Sequence, residues 1–135
     1  MEAIRWRRLL LCGLVAGLAW ALLSLGLLIL VGRELVENIP GLQAPNRGLL
    51  LFALLVNLAM GTWAVWLYAA IRPRYGNGSK TAAIAGFAWW IVYCLAKANW
   101  GPFGLVSTKV LVAMLAATLP ALIVVTILGA RLYED

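Results

Sequence analysis

Residues 9–32, 48–71 and 110–130 contain no charged side chain, and neither do residues 81–96. Nothing else in the chain limits its fold as severely. A helical span needs about 20 apolar residues to cross a hydrocarbon core about 30 Å thick. Three of the runs qualify outright, and the fourth qualifies if the Lys97 ammonium snorkels to the headgroups. Hydrophobic residues make up 64% of the chain and charged residues 12%, where a soluble domain has about half and about a quarter. Such a chain cannot present a wettable surface. The expected architecture is therefore all-α and polytopic, with four transmembrane helices in an antiparallel up-down bundle. Its spans fall at about 9–32, 48–71, 81–98 and 105–131, within a single membrane domain over residues 1–135.

A net charge of +6 invites a nucleic-acid reading, but the eleven Lys and Arg residues sit at the ends of the apolar runs. That is a membrane-anchoring pattern, and no nucleic-acid partner is expected. With the N-terminus inside, seven cations (Arg5, Arg7, Arg8, Arg72, Arg74, Lys80, Arg131) face the cytoplasm and four (Arg33, Arg47, Lys97, Lys109) face out. The positive-inside rule then places both termini in the cytoplasm. The start of the chain imitates a secretory signal, with a basic head and Ala19, Trp20 and Ala21 as a cleavage-like triplet. Its apolar run continues to Gly32, however, and reads as an uncleaved first span.

Small residues recur at helical spacing inside the spans. Gly13, Gly17, Ala21 and Ser24 form such a stripe in the first, Ala53, Asn57, Gly61 and Ala64 in the second, and Ala113, Ala117, Ala121 and Gly129 in the fourth, with Gly86 early in the third. Small side chains let helices approach closely in lipid, where dispersion replaces the hydrophobic effect. These faces are expected to be packing seams. An amide at mid-bilayer is costly without a partner, so Asn57 is expected to face another helix and hydrogen-bond across to it, for about 1 kcal/mol. Pro120 removes a backbone donor near the middle of the fourth span and strands the carbonyl of Ala116, which predicts a kink and a candidate hinge.

Between the second and third spans lies Tyr68–Thr81, YAAIRPRYGNGSKT. Pro73 is expected to end the second helix, Gly76, Asn77 and Gly78 to make the turn, and Ser79 or Thr81 to cap the third helix. GNGSKT superficially resembles a phosphate loop, but the GxxxxGK[ST] spacing is absent. Arg72, Arg74 and Lys80 flank a helix N-terminus and are candidates for holding an anionic lipid headgroup. The segment Trp63–Gly86 resembles the centre of a group of small bacterial four-span integral membrane proteins. Their second span ends in W-x-Y-x-x-I-R-P-R-x-G, matched here by Trp66, Tyr68, Ile71, Arg72, Pro73, Arg74 and Gly76. The resemblance implies the same topology in a bacterial inner (plasma) membrane and supplies no active site.

AGLAW at 16–20 is echoed by AGFAW at 85–89, and WLY at 66–68 by RLY at 131–133. Such echoes suit either a tandem repeat of two-helix hairpins about an axis along the membrane normal or plain compositional bias. Trp20, Trp89 and Trp90 lie deep in their spans, where each indole N–H needs an acceptor. Cys12 and Cys94 lie at different depths and read as small buried hydrophobes. The chain has no histidine and no carboxylate within a span, so no catalytic residue, cofactor or metal set is expected. The preferred expectation is a non-enzymatic packing or accessory subunit of a membrane assembly, touching lipids and other membrane subunits or itself. The alternatives are a small oligomeric transporter or channel, and an anionic-lipid-binding protein.

Overall fold

Charge-free runs of this length can satisfy their backbone groups internally as helices, and they do so in the computed structural model, which describes residues 4–38, 46–104 and 106–135. It contains α1 (Trp6–Asn38), α2 (Arg47–Tyr75), α3 (Ser79–Ala98) and α4 (Thr108–Glu134). All four are long and apolar enough to cross a membrane. The chain is thus a multi-pass, all-helical membrane protein. Pro40 and Gly41, expected to stop the first helix, lie outside the described residues. α2 and α4 begin on side-chain caps: Asn46 Oδ1 accepts from the Leu49 N–H at 2.9 Å, and Ser107 Oγ accepts from the Val110 N–H at 3.4 Å.

The turn between α2 and α3 departs from expectation in two ways. α2 runs through Pro73 to Tyr75, the missing proline N–H removing one bond to the preceding turn without ending the helix. Gly76 makes the stop instead, with φ of 84° and its N–H on the Arg72 carbonyl at 2.9 Å. The second departure concerns the start of α3, which has Gly78 at its N-cap and no side-chain cap. The Thr81 hydroxyl turns back and donates to the Gly76 carbonyl at 2.7 Å. It satisfies the end of the preceding helix, not the start of its own.

Glycines set how closely the helices approach. A Cβ added at Gly61 would fall 2.0 Å from the Gly17 backbone nitrogen, and one at Gly13 would fall 2.5 Å from Thr62 Cα. These pairings run antiparallel, and α1 and α2 touch backbone to backbone. Across the bundle, a Cβ on Gly86 of α3 would lie 3.1 Å from Ile123 Cα of α4. Gly129 of α4 faces Val65 of α2 and Ala16 of α1. Ala21, Ala117 and Ala121 are half-buried, with Ala121 packed on the core.

Asn57 does not bond across the seam. Its Nδ2 donates to the Ala53 carbonyl of its own helix at 2.7 Å, so the amide is satisfied locally with no partner helix. Thr62, Thr118 and Thr126 likewise donate to carbonyls of their own helices. At Trp90 the bond does cross: the indole N–H of α3 donates to the Leu115 carbonyl of α4 at 2.8 Å. The same carbonyl receives the Thr118 hydroxyl. Two side-chain donors therefore gather beside the carbonyl of Ala116, the one that Pro120 leaves without a backbone donor. α4 continues through Pro120 to Glu134.

The packed core occupies the half of the bundle nearer the α2–α3 turn. Leu9, Ala16, Trp20, Val65, Tyr68, Ala85, Leu122 and Val125 are among its members. In α2 no residue before Gly61 is buried, and in α1 no described residue after Trp20 is. Near the boundary, Trp20 meets Tyr93 of α3 edge-on at 6.4 Å between ring centroids. At the far end of α3 the Lys97 ammonium lies 3.5 Å from the centroid of the Trp100 ring. An aromatic face gives that cation a partner at the edge of an apolar helix.

Candidate functional site

Four chain segments converge where the core is densest: the residues entering α1, the last turn of α2, the first residue before α3 and the last turn of α4. Tyr68 and Arg72 are one helical turn apart on α2 and so share a face. Tyr68 is fully buried, at 0% exposure. Its hydroxyl therefore needs a partner, and it makes a short hydrogen bond to the Glu134 carboxylate of α4. The Gly78 N–H donates to the same carboxylate oxygen at 3.0 Å and to the Tyr68 oxygen at 3.3 Å. One carboxylate thus fastens the end of α4 to α2 and to the turn before α3.

A second set of contacts ties in α1. The Arg5 backbone N–H donates to the Tyr133 hydroxyl at 3.3 Å. The Arg8 guanidinium donates to the Leu132 carbonyl at 3.3 Å through Nη2 and 3.4 Å through Nε. A cation here also complements the negative end of the α4 dipole. Arg72 lies over the Tyr133 ring, 5.7 Å from its centroid. Between these groups opens a cleft of about 690 Å³, lined by Ile4, Arg5, Ala69, Arg72, Pro73, Asn77, Tyr133 and Glu134. One wall is cationic, one carries the carboxylate, and Ile4, Ala69 and Pro73 give it an apolar edge.

Of the three cations expected to hold a headgroup, Arg72 lines this cleft. Arg74 and Lys80 are exposed and do not. Arg5, Tyr133 and Glu134 are the residues that sequence reasoning missed. A signal for two of them was present in the echo between WLY at 66–68 and RLY at 131–133, since it places Tyr68 and Tyr133 alike near the ends of α2 and α4. Glu134 is the acidic residue that follows the second.

The arrangement suits recognition of a charged group better than bond chemistry. Tyr68 is engaged by Glu134, Cys12 is buried and unpaired, and no three His, Cys, Asp or Glu residues gather among the described residues. The Arg72 guanidinium over the Tyr133 ring, with Arg5 lining the same cleft, is suited to phosphate. The cleft lies at one end of the four candidate spans. Compared with known proteins, the chain matches no family model, no curated protein and no solved structure.

Proposed function

We propose that this is a non-enzymatic membrane protein that holds the phosphate of a lipid headgroup between Arg5 and Arg72. The observation that carries the reading is the cleft itself, where Arg5 and Arg72 lie with an apolar edge at one end of the candidate spans. Seven of the eleven cations belong to this end of the bundle. That asymmetry supports the cytoplasmic leaflet of a bacterial inner membrane, with both termini on that side. Arg74 and Lys80 add general attraction for an anionic surface, worth about 1 kcal/mol each near the membrane. The transport alternative gains least, because the amide and hydroxyls within the spans are satisfied by their own helices and form no continuous polar path.

Retention of phospholipid by the detergent-purified protein tests the reading. Replacing Arg5 and Arg72 together by Gln is expected to lower it about tenfold, the loss of one or two charge-assisted contacts. The Arg74→Gln, Lys80→Gln pair is expected to lower it about twofold. Equal retention by both double variants and the parent would remove the proposal.

One feature favours a second role, as an accessory subunit. Leu30 is 81% exposed and Phe52 65% exposed, on the half of α1 and α2 that has no buried described residue. The glycine seams expected to receive partners are spent inside the bundle, so a partner would dock on this leucine-rich half. Purification in mild detergent is then expected to retain a second membrane protein, and Leu30→Ser with Phe52→Ser to release it. A solitary monomer at every detergent level would end this second reading.

A further inference from the structure

The cleft carries a carboxylate as well as cations, and this bears on what it selects. A site built for a purely anionic headgroup gains nothing from a negative charge on its wall, since like charge opposes binding at this range. Glu134 is nonetheless held in place on that wall. Its Oε1 is fixed by the Tyr68 hydroxyl and the Gly78 N–H, and it lines the same space as Arg5 and Arg72. Resting on the reading that a phosphate lies between those cations, we infer that the ligand carries a primary ammonium next to its phosphate. The aminoethyl phosphate group of an ethanolamine phospholipid has that chemistry.

The chemistry of each wall matches one part of such a group. Arg5 and Arg72 take the phosphate. Glu134 takes the ammonium, and the apolar edge of Ile4 and Pro73 receives the start of the glycerol and acyl portion. A volume of about 690 Å³ exceeds what the headgroup alone fills, and lies within the usual range of about 300 to 1,000 Å³ for small-molecule sites. A quaternary choline has no N–H to donate to the carboxylate, and a glycerol headgroup has no positive charge. The site therefore ranks ethanolamine above both.

The test is competition among defined lipids. Native mass spectrometry of the full chain, with equal amounts of phosphatidylethanolamine, phosphatidylcholine and phosphatidylglycerol, is expected to show the first retained about fivefold above the others. Glu134→Gln keeps an acceptor for Tyr68 and Gly78 but removes the charge, and it is expected to erase that preference while total lipid retention persists. The Arg74→Gln, Lys80→Gln pair lies outside the cleft and leaves Glu134 and its partners untouched, and it should keep the preference, which separates recognition in the cleft from general surface charge. Soluble phosphoethanolamine supplies the same two charges without acyl chains. Its displacing the bound lipid at millimolar concentration would assign the group to a free metabolite as well, and its failure to do so would assign it to lipid. If phosphatidylglycerol is retained best and Glu134→Gln changes nothing, the ammonium inference is overturned while the phosphate reading stands. If the Arg5, Arg72 double variant also retains every lipid as the parent does, both are overturned.

Discussion

Gly61→Ala will force α1 and α2 apart. The new Cβ would fall 2.0 Å from the nitrogen and 2.2 Å from the Cα of Gly17, both backbone atoms of the facing helix. No rotamer can relieve such a contact, so the helices must separate, and the close packing that holds them in lipid is lost along the seam. The expected destabilisation is about 3 kcal/mol, at the upper end of what overpacking usually costs. Cys12 offers a direct readout, because it is buried and unpaired near the same seam. Maleimide labelling during a thermal ramp should begin at clearly lower temperature in the variant than in the parent. Gly26→Ala is the control, since nothing lies within 4 Å of the added Cβ there. It is expected to change stability by less than about 0.5 kcal/mol. Similar melting of both variants would mean that α1 and α2 do not make this contact.

Tyr68→Ala is the second large effect. This is the largest of the fully buried side chains and the point where α2, α4 and the turn before α3 meet. Truncation leaves a cavity and strips the Glu134 carboxylate of its hydroxyl donor. Loss of a buried aromatic costs about 3 to 5 kcal/mol. Tyr68→Phe keeps the ring and should lose about 1 to 3 kcal/mol, the cost of the missing hydroxyl bond to a charged partner. The difference between the two variants, measured by denaturant titration in detergent, separates ring packing from the hydrogen bond. If Tyr68→Phe were as damaging as Tyr68→Ala, the polar junction rather than packing would be holding this end together.

Much of the architecture was legible in the residues because the bilayer is a severe solvent. Runs without charge must be helical, and the lengths of the runs place the helices. The closest backbone approaches fall at Gly13, Gly17 and Gly61, since only a residue without a Cβ admits a backbone at those distances. Asn57 misled for a physical reason. An amide near mid-bilayer must be satisfied, but the Ala53 carbonyl one turn away can do this without any neighbouring helix. Pro73 misled too, because a proline, like Pro120 in α4, can remove one bond to the preceding turn without ending its helix. The cleft was the least legible part. Arg5, Arg72 and Glu134 are separated by more than sixty residues at each step, and a charge near a span end looks the same in sequence whether it anchors a helix or lines a pocket.

The helices differ in length, and that difference bears on the membrane itself. α3 has 20 residues, or about 30 Å at 1.5 Å per residue, while α1 has 33 residues, or about 50 Å. The first matches the hydrocarbon thickness, and the second exceeds it by more than three turns. The last turns of α1 contain the charged residues Arg33, Glu34 and Glu37. The bundle thus presents a short wall along α3 and a taller one, about 36 Å over the charge-free residues 9–32 and 48–71, along α1 and α2. Lipids around α3 are held at their natural height, whereas those around the tall wall must stretch, or the hairpin must lean over to meet them. The difference in length gives the bundle a reason to tilt, and more reason in a thinner membrane.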